Sequence, residues 1–380
     1  MAQRLLVSTR KGLFVARHTA LGWELGPPTF LGAAVTLSVG DPRDGALYAA
    51  LEHGHSGPTL HRSDDQGKTW RAVGTPAYPK PGRGAITTDG DGRTVPWSTQ
   101  LLWALAIDPV TPGGLWCGTI PGGLFHSADR GASWRLVRSL WDRPERAHWS
   151  GGGREAPGLH SICVDPRDAR TLTVAISCGG LWRSDDHGAT WSLIGRGLRA
   201  GYVPKAQRLD PNIQDPHLLV QCAGAPDRMW CQHRNGIFVS DDAGRRWREL
   251  KRVAPSAFGF AVAVHPQDPD TAWFVPAVND ECRVPVAARL VVTQTRDGGK
   301  TFVRRATGLP RPSYDLVLRH GMDLAADGRT LALGSSTGGL WISENGGGRF
   351  ECISAHLPPI HAVRFAPPPP RRSAAPVRTA

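Results

Sequence analysis

The sequence predicts an all-β ring, a seven-bladed β-propeller closed by its own C-terminal strand, and three observations carry that expectation. One phrase, Ser-x-Asp-x-Gly-x-Thr-Trp, recurs six times, starting at Ser63, Ser127, Ser184, Ser240, Thr295 and Ser343 and ending at Trp70, Trp134, Trp191, Trp247, Phe302 and Phe350. A phrase repeated at a spacing of about 50–65 residues marks an array of similar units. Each interval between copies holds four short apolar or alternating runs separated by turn residues, the pattern of one four-stranded blade. The two ends of the chain then complement each other, three strands at one and a single spare strand at the other.

The interval 158–195 shows the grammar. Leu159–Val164 is an apolar run, Asp165-Pro166-Arg167-Asp168 a turn, Thr171–Ser177 a β-branched run and Gly179-Gly180 a second turn. Leu181–Ser184 alternates, the repeated phrase makes the third turn, and Trp191–Ile194 is the fourth strand. The first turn recurs at Asp41-Pro42, Asp108-Pro109, Ala225-Pro226, His265-Pro266 and, loosely, Ala326-Asp327, and the Gly pair at Gly122-Gly123 and Gly338-Gly339. The N-terminus offers Arg4–Ser8, Gly12–Ala16 and Trp23–Leu25, a blade without its inner strand, and Ile360–Ala366 supplies the missing one. Such closure hides the edges a sheet otherwise exposes. Six phrase-bearing blades plus this composite one make seven; six is the alternative count if one weak repeat fails to form.

Composition narrows the function classes. The chain has 380 residues, 40% of them hydrophobic, and a formal charge of +12. The positive residues are scattered arginines without interleaved aromatics, so nucleic-acid binding is not expected. The 7 cysteines show no paired spacing and no CxxC, which points to a reduced, cytoplasmic protein. No N-terminal apolar leader is evident and no stretch reaches the roughly 20 apolar residues of a membrane helix. Residues 1–366 are expected to form one domain and a monomer, and 367–380, rich in Pro, Arg and Ala, a disordered tail.

Within the phrase, Asp65, Asp129, Asp186, Asp242 and Asp297 are placed to accept turn N–H groups, and Gly67, Gly131, Gly188, Gly244 and Gly299 to supply positive φ. Asn345 stands in the last copy, which suits an acceptor and not a catalytic acid. The phrase resembles the Asp-box, or bacterial neuraminidase repeat, of sialidase-like propellers, and the chain resembles a bacterial family with that repeat, often labelled exo-sialidase or glycosyl hydrolase. The resemblance implies a propeller with Asp-box repeats and, in some family members, a small ubiquitin-like sulfur-carrier protein as partner. It does not bring sialidase chemistry: the only tripeptide like the sialidase Arg-Ile-Pro signature is Arg283-Val284-Pro285, far from the first blade, and Tyr48, Tyr78, Tyr202 and Tyr314 lack an obvious Glu partner.

If the repeated turns define a bottom face, inner-strand starts and second-to-third-strand turns lie on top, where propellers place ligands. That face gathers Arg10, Glu52, His53, His55, Cys178, Gln232, His233, Asn235, Asp280, Arg283 and Thr337, with His160, His217, Arg319, His320 and His361 at or near inner-strand starts. Trp103 and Phe260 take the place of His160 and His361 in other blades. Three long connections, 74–99, 139–157 and 196–214, and the excursion Asn279–Ala288 are expected to roof this mouth. The expected chemistry is hydrolysis or a lyase-like step on a small polar or anionic molecule. His160, His217, His233 and Asp280 are the acid–base candidates. Arg10, Glu52, Gln232, Asn235, Arg283, Arg319 and Thr337 are the ligand contacts, and His53, His55 and His361 the donors to a divalent transition metal. The alternatives are a non-catalytic protein-binding scaffold and a glycoside hydrolase, which requires two carboxylates about 5–10 Å apart at the mouth.

Overall fold

A computed structural model describes residues 3–152 and 154–367, without the side chain of His55. The expected tail, 368–380, lies outside the described residues. Seven four-stranded antiparallel sheets stand in a ring. In the first, the C-terminal strand Ile360–Phe365 pairs with Arg4–Thr9 as the inner strand, followed by Gly12–Thr19 and Gly22–Leu25. The other six follow in chain order, inner strand to outer, with inner strands Ala34–Gly40, Leu101–Asp108, Leu159–Val164, Pro216–Gln221, Gly259–Val264 and Met322–Leu324. Each inner strand packs against the next all the way round. The expected seven blades and their closure therefore form.

Alternating apolar residues give every blade two buried faces, and the core is divided accordingly. One apolar cluster fills each gap between neighbouring blades. Leu6, Leu13, Val35 and Leu47 join blades one and two, and Trp116, Trp149, Leu172 and Trp182 join blades three and four. Leu5, Ala16, Leu340 and Val363 close the ring between blades seven and one. Each fully buried Leu or Trp side chain contributes about 1.5–3 kcal/mol relative to exposure, so the ring is held by many equivalent seams rather than one centre.

The repeated phrase is a self-satisfied turn. In its first copy the Ser63 hydroxyl donates to Asp65 at 2.8 Å and accepts from the Gly67 N–H at 2.8 Å, while the Thr69 N–H and hydroxyl donate to Asp65 at 2.9 and 2.6 Å. Gly67 has φ +88°, and Gly131, Gly188, Gly244 and Gly299 repeat that left-handed geometry, which a side chain adopts only under strain. Asn345 takes the same contacts through its carbonyl oxygen, with Ser343 at 2.9 Å and the Arg349 N–H at 2.9 Å.

Two features aim side chains at the other face. Inner strands carry a bulge near their start: the register shifts between Leu102 and Ala104, Leu159 and Ser161, Pro216 and Leu218, and Gly259 and Val262. The residues at or within these shifts are Trp103, His160, His217 and Phe260, and a bulge re-aims its side chain out of the alternation. The long connections are ordered by short helical turns, Arg138–Trp141, Pro144–His148, Lys205–Gln207 and Pro211–Ile213. No helix among the described residues is long and apolar enough to cross a membrane.

Candidate functional site

The bulges bring four rings together at the top of the channel. The Trp103 and His160 centroids lie 5.3 Å apart, edge to face, and His217 stacks on Phe260 at 4.4 Å. Arg319 bridges the two pairs, its guanidinium 4.8 Å from the Trp103 ring and 5.5 Å from that of Phe260. Arg283 lies 5.4 Å over Phe260 and Arg154 5.6 Å over Trp103. The channel behind holds a cavity of about 400 Å³, lined in part by Trp103, His160, Ser161 and His320.

Beside the rings lies Asp215, 5% exposed, in the connection that leads into blade five. Burial pushes its carboxyl above the usual range, against the pull of Arg319 and Arg234. The Cys178 N–H donates to it at 3.4 Å, and the His217 Nε2 and Arg234 Nη1 atoms stand 3.9 Å from its Oδ2. Arg234 is held flat over Tyr202 at 4.5 Å and pairs through its other Nη with Asp280 at 2.5 Å, while Arg283 pairs with the second Asp280 oxygen at 2.5 Å. One planar guanidinium touching both carboxylates keeps Asp215 and Asp280 within about 9 Å of each other. Arg319, mostly buried, has no carboxylate partner among the described residues, and its Nε lacks any hydrogen-bond partner. Burial lowers its pKa to about 10, still charged at neutral pH.

The histidines divide by what their nitrogens do. His160 bonds Ser161 through Nδ1 at 2.9 Å, and its buried Nε2 has no partner. His217 donates through Nδ1 to the Gly259 carbonyl at 2.7 Å. Burial holds both well below the usual histidine range, so they are neutral bases or hydrogen-bonding groups, not acids. His320 bonds the His160 carbonyl at 3.0 Å, and burial lowers it to about 3.

Several expected roles do not fit the geometry. His233 is fully buried, and its ring nitrogens stand 3.1 Å from the backbone N–H groups of Asp215 and Asn235. A neutral imidazole has one lone pair and one N–H, so it accepts from only one of these groups, and with 0% exposure the ring faces backbone rather than a substrate. Gln232, 1% exposed, donates to the Ala257 carbonyl at 2.9 Å, and Asn235 accepts from the Gly201 N–H at 2.7 Å. Both tie loops down instead of facing a ligand. Thr337 bonds Asp315 and Ser335 within its own blade. Arg10 and Glu52 are exposed, and their charges reach His361 together with that of Arg154.

Of the three expected metal donors the structure describes the side chains of two. His361 bonds the Val35 carbonyl through Nδ1 at 3.0 Å, and His53 bonds Thr59 at 3.0 Å, while the His55 side chain lies outside the described residues. Among the described residues the only three donors drawn together are Asp108, His126 and His187, on the bottom face. Cys178 is no nucleophile either: burial pushes its thiol up to about 12. What the sequence reading missed was the conjunction of Asp215, Arg234 and Tyr202. The three lie on separate stretches of chain, so no local pattern joins them.

No family model matches the chain. In sequence it is similar to a probable oligoxyloglucan-reducing end-specific xyloglucanase of Neosartorya fischeri, 26% identical over 226 residues that cover 52% of this chain and 26% of that one. A xyloglucanase of Paenibacillus sp is 34% identical over 108 residues, 26% of this chain and 10% of the relative. In structure it is similar to the GH74 enzyme of Niastella koreensis, with a TM-score of 0.61 at 16% identity, covering 92% of this chain and 51% of that one. The periplasmic gluconolactonase of Pseudomonas aeruginosa has a TM-score of 0.59 at 14% identity, with coverage of 96% and 99%; both structural likenesses are ones of fold. The chain spans about half of the solved GH74 enzyme and about a quarter or less of the two curated relatives. It is a seven-bladed β-propeller whose relatives in sequence include xyloglucanases.

Proposed function

We propose that the top mouth hydrolyses a glycosidic bond in a small sugar-like substrate that carries a negative charge. The observation that carries the reading is the unpartnered guanidinium of Arg319, stacked between Trp103 and Phe260 beside a carboxyl kept protonatable by burial, Asp215. A buried cation without a counter-ion favours a ligand that supplies one, and the guanidinium fork matches a carboxylate. The two rings it stacks on offer apolar faces for a sugar.

In this reading Asp215 donates its proton to the leaving glycosidic oxygen as that bond to carbon breaks. A water attacks the same carbon from the opposite side and gives its proton to Asp280, which Arg234 and Arg283 hold in place. The separation, about 9 Å at most, does not exceed the roughly 6.5–9.5 Å that an inverting pair spans. His160 and His217, neutral, serve as hydrogen-bonding groups to substrate hydroxyls. The names of the sequence relatives support the glycosidic bond; the arginines of this mouth argue for an acidic sugar rather than a neutral one. The sialidase-like resemblance contributes the scaffold and no catalytic group. The reading as a protein-binding scaffold draws less support, since on the long connections the exposed large hydrophobics are only Tyr202 and Leu209. The free state of all seven cysteines supports a cytoplasmic setting, which cell fractionation checks.

The test is a panel of aryl glycosides, neutral and uronate-bearing, with the Asp215→Asn variant beside the parent chain. Hydrolysis of the acidic members, lost in the variant, is the expected outcome. Equal turnover by the variant, or turnover confined to neutral glycans, sinks the reading.

A further inference from the structure

The bottom face carries a second constellation that the mouth does not use. Asp108 ends the inner strand of blade three, His126 lies on the third strand of the same blade, and His187 sits in the repeated turn of blade four. The Asp108 Oδ2 atom is 2.8 Å from His126 Nε2 and 3.0 Å from His187 Nε2. Asp108 is fully buried, whereas the imidazoles are 21% and 25% exposed. Both rings pack on the buried Trp116 indole, at centroid distances of 4.3 and 4.9 Å, which closes one side and leaves the other to solvent.

The other blades show how unusual this is. In blades two and four the equivalent carboxylates, Asp41 and Asp165, are neutralised two residues on by Arg43 and Arg167, each at 2.7 Å. Blade three has Val110 at that position. On the third strand, blades two and four carry Arg62 and Arg183, paired with Asp64 and Asp185 of the turn; blade three has His126 there and Ala128 in the turn. Two changes within one blade thus remove guanidinium groups, which cannot ligate a metal, and bring in an imidazole, which can. The Asp108 carboxylate is also oriented from behind. The Val110 N–H donates to its Oδ1 at 2.9 Å, leaving Oδ2 for the imidazoles. A Cβ on Gly114 would stand 2.7 Å from Oδ2, so the glycine clears the space.

The geometry points to a divalent transition-metal site, zinc above all, held by Asp108, His126 and His187 and completed by water, that ties blade three to blade four. Adjacent donors at bond lengths of about 2.0–2.1 Å stand roughly 3.0–3.4 Å apart around one ion, so the two carboxylate–imidazole spacings need to open by only a few tenths of an ångström, and the two imidazole nitrogens already lie within 4.8 Å of each other. Two imidazoles and one carboxylate suit zinc, copper or cobalt over calcium or magnesium. Binding needs each neutral imidazole to carry its proton on Nδ1, leaving the Nε2 lone pair for the metal.

The probes are Zn²⁺ and Co²⁺ alone, added to the full chain stripped with chelator. One equivalent is expected to bind, with Co²⁺ giving a visible absorption band and Zn²⁺ raising the melting temperature. His126→Gln and His187→Gln are each expected to weaken binding by about tenfold or more. Val110→Arg is the decisive variant, because it restores the arginine that blades two and four place on this carboxylate. It should fold as the parent does and lose the metal. A parent chain that binds no equivalent of either ion, or a Val110→Arg variant that binds as tightly as the parent, overturns the site.

Discussion

The two ends of the channel treat buried charge in opposite ways. At the bottom rim nearly every carboxylate is satisfied from within a few residues: Asp65 by Ser63 and Thr69, Asp186 by Ser184 and Thr190, Asp165 by Arg167. At the mouth, Arg319 makes no salt bridge among the described residues and its Nε atom no hydrogen bond, while Asp215 is met by one long bond from the Cys178 N–H, at 3.4 Å, and by Arg234 and His217 at 3.9 Å. A scaffold built for stability closes its polar groups locally, because each unsatisfied one costs about 1–3 kcal/mol. Charges left open at one end only are therefore a reason to look there for a ligand.

The largest break in that contrast is expected from Asp215→Asn. If the carboxyl is the proton donor, hydrolysis falls by about 10²–10⁴-fold, while the melting temperature at neutral pH holds or rises. The sign follows from linkage: burial raises the folded pKa of Asp215 above the ordinary aspartate range. Its protonated form suits the fold, and its contribution is lost as pH climbs through the folded value. Removing the titration removes that cost. A variant with lower stability and full activity would make Asp215 a rim-type structural carboxylate.

Next comes Arg319. Arg319→Ala is expected to raise KM for an anionic substrate by about 10–100-fold, the worth of one charged hydrogen bond, with kcat changed much less. Arg319→Lys, which keeps the charge and loses the flat fork stacked on Trp103 and Phe260, should recover only part of it. An unchanged KM would mean that the guanidinium is a stacked structural group.

How much of this was readable without coordinates follows the same division. The rim is contiguous in sequence: Ser63, Asp65, Gly67 and Thr69 make their bonds within a single turn, so the repeated phrase predicted six blades, and the complementary chain ends predicted the seventh and the closure. The mouth is assembled from Trp103, His160, Asp215, Phe260 and Arg319, spread over five blades. The sequence placed these residues toward one face, since strand direction decides it. It misassigned His233, Gln232 and Asn235, because whether a polar side chain faces the channel or a neighbouring backbone amide depends on bulges and loop packing that leave no local pattern. The His126–Asp108–His187 group was hidden likewise, two blades contributing to one cluster.

Acid titration sharpens the contrast more gently. Asp65, Asp108, Asp186 and Asp297 are all lowered to about 2, mainly by hydrogen bonds, with burial opposing them at Asp108. A depressed carboxylate contributes stability that is complete above its unfolded pKa, near 4, and lost as pH falls toward the folded value. The ring is therefore expected to hold its melting temperature down to about pH 4 and to lose it steeply between about pH 4 and 2. Asp215 and Asp323, both raised by burial, act in the other direction and above that window, adding stability as pH falls from their folded values toward about 4. A melting temperature that declines evenly from pH 7 downward would contradict the rim's role.

The smallest effect separates acceptor from charge within one turn. Asp129 accepts from the Ser127 hydroxyl and the Ser133 N–H through Oδ1, both at 2.8 Å, and from the Ser133 hydroxyl through Oδ2 at 2.6 Å. Asn345 fills the same position of the last copy with the first two kinds of contact intact. Asp129→Asn keeps those two, so its melting temperature should fall by only about 1–2 °C at neutral pH, and Asp129→Ala, which loses all three, by several degrees. Because the Asp129 carboxyl sits below its usual range and an amide does not titrate, the gap between parent and Asp129→Asn should narrow as pH drops below about 4. If the gap stays constant, the turn depends on hydrogen-bond geometry alone and the charge contributes nothing there.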